Sequence, residues 1–356
     1  MDELFGIPMG PLAVALVVAL GVLLGALAAL AIRNRIFLKL GIRNVTRRRA
    51  RTALIVLGLM LGTTIIVSAL TTGDTMSNTI RSSAVESLGA TDELVSVRGA
   101  EVNPMVQVGS TTGIEYFPER VLGEVEHDLT AHENLIDGVA PAIVEPLAVQ
   151  NVTSRQTEPR ITLFASSQPH LAAFGDIRNH DTGDIEYLND LRAGEVFLNA
   201  DAADELQAAP GHQLKLFAEG GSFRVNVRAV VDYQGTGTDD AALLMPLTEA
   251  QQILDRVGEI KYVLISNRGD DISGAELTGE VIATVNPTLA PFGLEADPVK
   301  QDALDEADAQ GNAFMTLFTT FGTFSIFAGA LLIFLIFVML AAERRWASLL
   351  PSAWSS

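Results

Sequence analysis

Residues 52–73 have the sequence TALIVLGLMLGTTIIVSALTTG, twenty-two consecutive positions without a charged side chain. At a rise of 1.5 Å per residue, a helix of this length spans about 33 Å, which matches the roughly 30 Å hydrocarbon core of a bilayer. Two more uncharged runs occupy residues 11–32 and 309–342. We therefore predict a membrane protein with three transmembrane α-helices, at residues 11–32, 52–73 and 312–342. The third run exceeds the bilayer thickness, so its outer part is expected to form a stalk.

The orientation of these helices follows from the segment between the first two. Residues 33–51 contain eight basic residues and no acidic residue. Short loops rich in lysine and arginine stay in the cytoplasm, which places this segment inside. The tail 1–10 is then external, residues 74–311 form an extracytoplasmic domain, and residues 343–356 form a cytoplasmic tail. The expected location is the cell membrane, multi-pass, with residues 74–311 extracellular.

The run 11–32 has an alternative interpretation as a cleaved signal peptide. A signal peptide begins with basic residues, whereas Asp2 and Glu3 precede this run, and the basic cluster follows it. An anchor with its N-terminus outside is therefore favoured.

The basic segment has a helical period. Arg35, Lys39, Arg43 and Arg47 recur every four residues, which places them on one helical face. We predict an amphipathic elbow helix that lies on the cytoplasmic surface in contact with membrane lipids. A plain cytoplasmic loop would explain the charge but not the period.

The large external segment alternates short strand and helix patterns, which predicts an α+β domain. Phe223, Val225 and Val227 alternate with polar residues, and Gly220-Gly221 joins this strand to an earlier one as a tight hairpin. Thr248 and Gln251 have the spacing of a capping box that opens a helix. Other predicted strands lie at residues 94–98, 161–165, 195–198, 242–245 and 262–266, and other predicted helices at 119–129, 201–206 and 273–284.

The residues needed for several kinds of chemistry are missing. The sequence contains no Gly-Lys dipeptide, so it has no P-loop, and it has no cysteine for thiolate chemistry. None of its five histidines are spaced three or four apart. We expect a non-catalytic membrane subunit without a cofactor, a metal site or a nucleic-acid partner. Asn151-Val152-Thr153 is a candidate glycosylation site on the external side.

The charge balance of the external segment is extreme. Residues 74–311 carry 40 acidic and 14 basic residues, and the whole chain has only four lysines against twenty arginines. Such a surface repels itself at low ionic strength and is screened at high salt, which indicates a salt-loving source with haloarchaeal-like composition. Binding of a basic partner or a cation is less favoured because the acidic residues are dispersed.

Three stretches resemble FtsX/MacB-type ABC transporter permeases. The segment LGIRNVTRRRARTALIVLGL at residues 40–59, continuing to Gly73-Asp74, is similar to the opening of this family. Residues 194–199, GEVFLN, followed by Ala203, Leu206, Gly211 and Leu214, resemble its external-domain motif, with His212 where the family usually has aspartate. Residues 321–342, followed by Glu343, Arg344 and Arg345, resemble its second core span and the start of its ATPase-coupling segment.

The resemblance implies a permease of the mechanotransmission type. A separate cytoplasmic ABC ATPase would hydrolyse ATP, tilt the spans and move a MacB-like external domain, with the permease as a homodimer or heterodimer. Span 11–32 precedes the usual core, and the likeness stops after Arg345, so a truncated or frameshifted permease is expected. An alternative is a membrane-anchored regulator that activates or holds an envelope protein without transport, and a third is a domain anchor without an ATPase.

Overall fold

The computed structural model describes residues 49–348 without residues 101–114, 133, 219 and 271. It also describes some isolated positions before residue 49. The chain forms two compact units. One comprises Met1–Thr71 with Leu317–Ser356, and the other comprises Thr72–Thr316. The second unit contains the large sheet.

Six α-helices occur in the described part of the chain: α1 Arg49–Leu88, α2 Val121–Thr130, α3 Ala200–Glu205, α4 Leu247–Ile253, α5 Thr278–Leu289 and α6 Val299–Ser348. Four 3₁₀ turns accompany them, at Gln168–Ala173, Leu188–Asp190, Ser273–Leu277 and Ala290–Phe292. With 40 and 50 residues, α1 and α6 are about 60 and 75 Å long. Among the described residues, no helical stretch combines the length and the apolarity needed to cross a membrane.

The strands of the second unit are β1 Glu93–Val97, β2 Phe117–Pro118, β3 Ile136–Asn151, β4 Thr157–Ser166, β5 Ile177–Asn179, β6 Ile185–Glu186, β7 Glu195–Asn199, β8 Gln213–Ala218, β9 Gly221–Asp232, β10 Ala242–Pro246, β11 Glu259–Ile260, β12 Tyr262–Asn267 and β13 Leu294–Asp297. Apart from the small ladder of β2 with β11, the described strands of this unit form one eleven-stranded sheet. In the other unit, Glu3–Leu4 pairs with Ile7–Pro8.

Part of the large sheet closes on itself. Strands β3, β4, β10, β7, β9 and β8 pair in this order, and β8 pairs in turn with β3. The pairs β4–β10 and β7–β9 are parallel, and the other four are antiparallel. Each of the six strands contributes to one buried apolar cluster, for example through Leu163, Leu198, Leu216 and Val227. The ring is therefore filled by apolar side chains, and these belong to a cluster that continues beyond the ring.

A second part of the sheet, which we call the arm, has the strand order β13-β1-β12-β3, all antiparallel. On one face, Val95 and Ile265 share a core cluster with Val125 of α2 and Val285 of α5. On the other face, Leu94 belongs to a cluster that includes residues at the C-terminal end of α1 and the N-terminal end of α6. The arm thus lies between two helical layers, and one of these layers contains the ends of the two long helices.

Most of the sequence predictions for this unit are confirmed. It is an α+β domain, and every predicted strand is present, as is the hairpin at Gly220-Gly221. Most limits agree within one or two residues, but β4 begins four residues before the predicted 161–165, and β9 continues to Asp232. The predicted helix 273–284 begins as a 3₁₀ turn and becomes helical at Thr278. The predicted capping box was wrong: Pro246 occupies the cap position of α4 without a side-chain hydrogen bond.

Candidate functional site: the helix junction

The C-terminal end of α1 is fixed against the sheet domain. Leu88 is buried, and Gly89 closes the helix with φ +55° and an N–H that donates to Val85 O at 2.9 Å. Such a left-handed residue satisfies a free carbonyl at a helix end. A Cβ atom at position 89 would lie 2.7 Å from Gln234 O. Glycine is therefore needed here both for its conformation and for the close approach of the loop after β9.

That loop holds the last carbonyl of α1. Thr236 Oγ1 donates to Leu88 O at 3.3 Å, and Thr238 Oγ1 lies 2.8 Å from Gly235 O within the loop. Tyr233 is buried in the same apolar cluster as Leu88, and this burial raises the pKa of its hydroxyl. The loop and the helix end thus form one buried contact.

The N-terminal turn of α6 is tied to the residue that precedes β1. Lys300 Nζ lies 3.0 Å from Asp92 Oδ1, with the two side chains 1% and 2% exposed. Lys300 N also donates to Asp92 O at 3.2 Å, and Asn267 N donates to Asp92 Oδ2 at 2.7 Å. Gly274 makes room for this carboxylate, since a Cβ there would lie 2.9 Å from it. Removing one partner of a buried pair costs far more than it does at a surface.

A second ion pair connects the two long helices further along. Arg81 Nη1 of α1 donates to Asp308 of α6 at 2.9 Å and 3.1 Å, and both side chains are partly exposed. From Arg81 to Asp92 the chain advances, whereas their partners go back from Asp308 to Lys300. The two helices are therefore antiparallel here. Lys300 and Asp308 are eight residues apart, or about 12 Å along α6.

We call this region, comprising Leu88, Asp92, Thr236, Val299, Lys300 and Ala303, the helix junction. Val299 and Ala303 of α6 belong to the same buried cluster as Leu88 and Leu94. The ends of both long helices therefore share one core with the sheet arm. A displacement of either helix at this point must move the sheet arm or break buried contacts.

The site residues predicted from sequence lie elsewhere in the chain. Arg35, Lys39, Arg43 and Arg47 lie outside the described residues. The backbone of Glu343, Arg344 and Arg345 continues α6, which ends at Ser348, but their side chains lie outside the described part. Neither group can be compared with the helix junction.

Asn151, the candidate glycosylation site, is fully buried in the second unit. Its Nδ2 donates to Leu206 O at 3.1 Å and to Gln207 O at 2.9 Å, and its Oδ1 accepts from Thr153 N at 2.9 Å. This side chain joins the end of β3 to the end of α3. The folded domain does not present its amide nitrogen to a glycosylating enzyme.

The stretch 194–199 that resembles the family motif has a structural role. Asn199 caps α3 through a hydrogen bond from Ala202 N to its Oδ1, and its Nδ2 donates to Thr238 O at 3.1 Å and Asp240 O at 2.6 Å. Gly194 and Gly211 both have positive φ. These residues connect β7, α3 and the loop before β10, so the motif maintains the ring.

Sequence reasoning missed the helix junction because its residues are distant in the chain. Asp92 and Lys300 follow no short spacing, and Asp308 lies in an acidic stretch typical of a solvated helix face. One signal was available: Lys300 is one of only four lysines. Among the described residues, no group of three or more His, Asp or Glu side chains converges as a metal site.

Comparison with known proteins identifies the family. The MacB-like periplasmic core domain profile matches residues 52–286, more than half of the chain. The periplasmic region of MacB from Actinobacillus actinomycetemcomitans aligns with a TM-score of 0.40 and 11% identity, over 60% of this chain and 91% of that one. The extracellular domain of the noncanonic ABC-type transporter YknZ from Gram-positive bacteria aligns with a TM-score of 0.39 and 13% identity, over 58% and 99%. No curated protein matches in sequence. From the profile match, this chain belongs to the MacB-like periplasmic core domain family and is an ABC transporter permease of the MacB/FtsX type.

Proposed function

We propose that this chain is the permease subunit of an ABC transporter that works by mechanotransmission. A separate cytoplasmic ATPase binds the elbow 33–51 and the segment around Glu343, Arg344 and Arg345, and its ATP cycle moves the membrane helices. Residues 11–32, 52–73 and 312–342 cross the cell membrane, and the sheet domain lies outside. Two copies of the permease, or this chain and a related one, form the working complex.

The helix junction is the observation that supports this proposal. The α1 and α6 helices continue without a break from the proposed spans to the sheet domain, and neither contains a proline that would interrupt it. Within the domain, Arg81–Asp308 links the two helices and Asp92–Lys300 links α6 to the sheet arm. Coupling between distant sites requires an element that both sites move, and in this proposal the two helices are that element.

Exposed side chains on α6 support the membrane assignment. Phe321, Phe324, Leu331 and Val338 are large, apolar and about half exposed or more. They lie within the uncharged run 309–342. Lipid chains or a neighbouring span would cover such side chains.

The proposal is tested by distance measurements in the working complex. The full chain is reconstituted in lipid with an ABC ATPase from the same organism that co-purifies with it. Because the sequence has no cysteine, Asp201→Cys gives each copy a single spin label at an exposed position of the external domain. We expect the label-to-label distance between the two copies to change when ATP is added. The reference state is the nucleotide-free complex, prepared with an ATPase variant that cannot hydrolyse ATP.

The link between helices and domain is tested in the same experiment. Arg81→Gln removes the ion pair to Asp308 and should reduce the ATP-dependent distance change while ATP hydrolysis continues. Arg98→Gln removes a comparable exposed pair, to Glu295, away from the junction and should leave the change intact. A distance that is the same with and without ATP contradicts mechanotransmission. A movement without any exported molecule would favour the regulator alternative.

A further inference from the structure

A buried polar cluster lies beneath the helix junction. Asp92, Glu93, Asn267 and Lys300 are 2%, 0%, 3% and 1% exposed. They come from the start of β1, the end of β12 and the first turn of α6. We call these four residues the junction cluster.

The charges of this cluster do not balance if both acids are ionised. Lys300 pairs with Asp92, and Asp92 also accepts a hydrogen bond from the backbone of Asn267. Glu93 instead contacts neutral groups, the side-chain amide of Asn267 and the hydroxyl of Thr278 in α5. An ionised Glu93 would be a second buried negative charge beside a single lysine. Burial disfavours such an uncompensated charge, and a proton on the carboxyl group removes it.

The hydrogen bonds of the cluster also lack a donor. Asn267 Nδ2 donates to Glu93 Oε1 at 2.7 Å and to Gly274 O at 3.0 Å. Turning the amide over would place its oxygen against these two acceptors, so its orientation is fixed. Among the described residues, nothing donates a hydrogen bond to the buried atoms Glu93 Oε2 and Asn267 Oδ1. These two unpaired oxygens belong to the same hydrogen-bonded pair of side chains.

We propose that Glu93 is a proton-binding site of the external domain: its carboxyl group carries a proton when the helix junction is packed, and loss of this proton loosens the junction. The proton makes the cluster neutral and supplies the donor that the pair Glu93–Asn267 lacks. This inference does not depend on the transport function, because it concerns the stability of the domain itself.

The expected pH window follows from the groups around Glu93. Burial is the main cause that raises the pKa of Glu93 from 4.5 to about 7, with Asp92 also raising it and Thr278, Asn267 and Lys300 lowering it. Asp92 and Lys300 are the titratable groups that face Glu93, since Asn267 of β12 and Thr278 of α5 do not titrate. The folded form holds the proton more tightly than the unfolded form. The stabilisation is therefore greatest below about pH 4.5 and is lost as the pH rises to about 7.

The test compares the full chain, in lipid and at high salt, with its Glu93→Gln variant between pH 5 and pH 8.5. Glutamine keeps the shape and neutral charge of the protonated side chain. We expect the melting temperature of the unmodified chain to fall by roughly 5 °C or more across this range, and that of Glu93→Gln to fall much less. Hydrogen exchange is base-catalysed, so each rate is compared with the intrinsic rate of an unfolded chain at the same pH. On this scale, the protection of amides at residues 88–97 and 299–308 should fall with pH in the unmodified chain and stay nearly constant in the variant.

The control variant is Glu86→Gln, which alters an exposed glutamate of α1 close to the junction and should keep the pH dependence. A Glu93→Gln variant with the full pH dependence would overturn the proposal. If that variant does not fold, carboxyl ¹³C resonances of glutamate-labelled chain decide the question. A glutamate that titrates near pH 7 supports the proposal, and glutamates that are all ionised by pH 5.5 overturn it.

Discussion

At the scale of single residues, the lysines of this chain are used in an unusual way. Of the four, Lys261 and Lys300 are buried, and each pairs with one carboxylate, Glu145 at 2.6 Å and Asp92 at 3.0 Å. Arginine provides nearly all of the other positive charge. The composition showed that lysine is rare, but it did not show that half of the lysines are interior.

The buried pair of the helix junction gives a stability prediction. Lys300→Met removes the cation beside the buried Asp92 carboxylate, so it should lower the free energy of unfolding by about 3–5 kcal/mol. Arg81→Gln breaks a pair of similar length whose side chains are 37% and 48% exposed, and it should cost about 1 kcal/mol or less. Denaturant unfolding of the full chain in lipid measures both. Equal losses for the two variants would show that burial does not determine how much the Lys300 pair contributes to the free energy of unfolding.

The limits of sequence reasoning at this scale are clear from the same residues. The regular spacing of Arg35, Lys39, Arg43 and Arg47 predicts one helical face, because such contacts are local. The partner of Lys300 depends instead on how β1 and α6 meet in the folded domain. A sequence pattern alone carries no information about a contact between residues so far apart in the chain.

At the scale of elements, strands were easier to predict than their connections. The alternation in β9 predicts a strand with one exposed face, and the structure has this pattern. No strand was predicted at β3, which is 16 residues long and contains Pro141 and Pro146. Proline removes a hydrogen-bond donor and is rare in central strands, so these residues obscure the pattern. β3 is nevertheless the strand shared by the ring and the arm.

The start of α4 shows how a local motif is overridden by tertiary contacts. Thr248 and Gln251 have the spacing of a capping box, but Thr248 is exposed and Gln251 is buried. Gln251 Nε2 donates to Glu119 Oε2 at 2.8 Å and to Glu259 O at 3.0 Å. Gln251 therefore ties α4 to the small β2–β11 ladder, and the cap position belongs to Pro246.

This arrangement predicts unequal effects on stability for the two residues of the apparent motif. Gln251→Ala leaves the carbonyl of Glu259 and the carboxylate of Glu119 without this donor, so it should destabilise the domain by about 1–3 kcal/mol. Thr248→Ala should change stability by no more than about 0.5 kcal/mol, because the exposed Thr248 side chain makes no cap. Thermal unfolding of the two variants distinguishes these roles. A larger loss for Thr248→Ala would restore the capping-box interpretation.

At the scale of the whole molecule, the segregation of charge was readable directly from the sequence. Residues 74–311 contain 40 of the 43 acidic residues, whereas every charged residue in 33–51 is basic. This contrast predicted a separate acidic domain, and the compact unit Thr72–Thr316 has nearly the same limits. The closed ring was not predictable, because closure depends on β8 pairing with both β9 and β3.

The acidity of this domain has a local consequence around Glu205. Glu205 is exposed, and the slight desolvation of its carboxylate is the first cause that raises its pKa, followed by repulsion from Glu158, Asp240 and Asp201. Like charges this close destabilise the folded state when salt does not screen them. The same repulsion acts across a domain with a net charge of −26 from residues 74–311.

We therefore expect the stability of the chain to depend strongly on salt. The Debye length falls from about 10 Å at 0.1 M to about 3 Å at 1 M, so repulsion between surface acids weakens while the buried Asp92–Lys300 pair is little affected. The melting temperature, followed by circular dichroism in lipid, should rise between 0.1 M and 2 M KCl. Glu205→Gln removes the repulsion between this residue and Glu158, Asp240 and Asp201, so it should raise the melting temperature at 0.1 M and have little effect at 2 M. Arg98→Gln, which adds to the net negative charge, should act in the opposite direction at low salt. Two results would contradict a salt-adapted surface: a melting temperature that does not change with salt, or a Glu205→Gln effect of equal size at both concentrations. Specific recognition of a basic partner would then be the better explanation of the acidity.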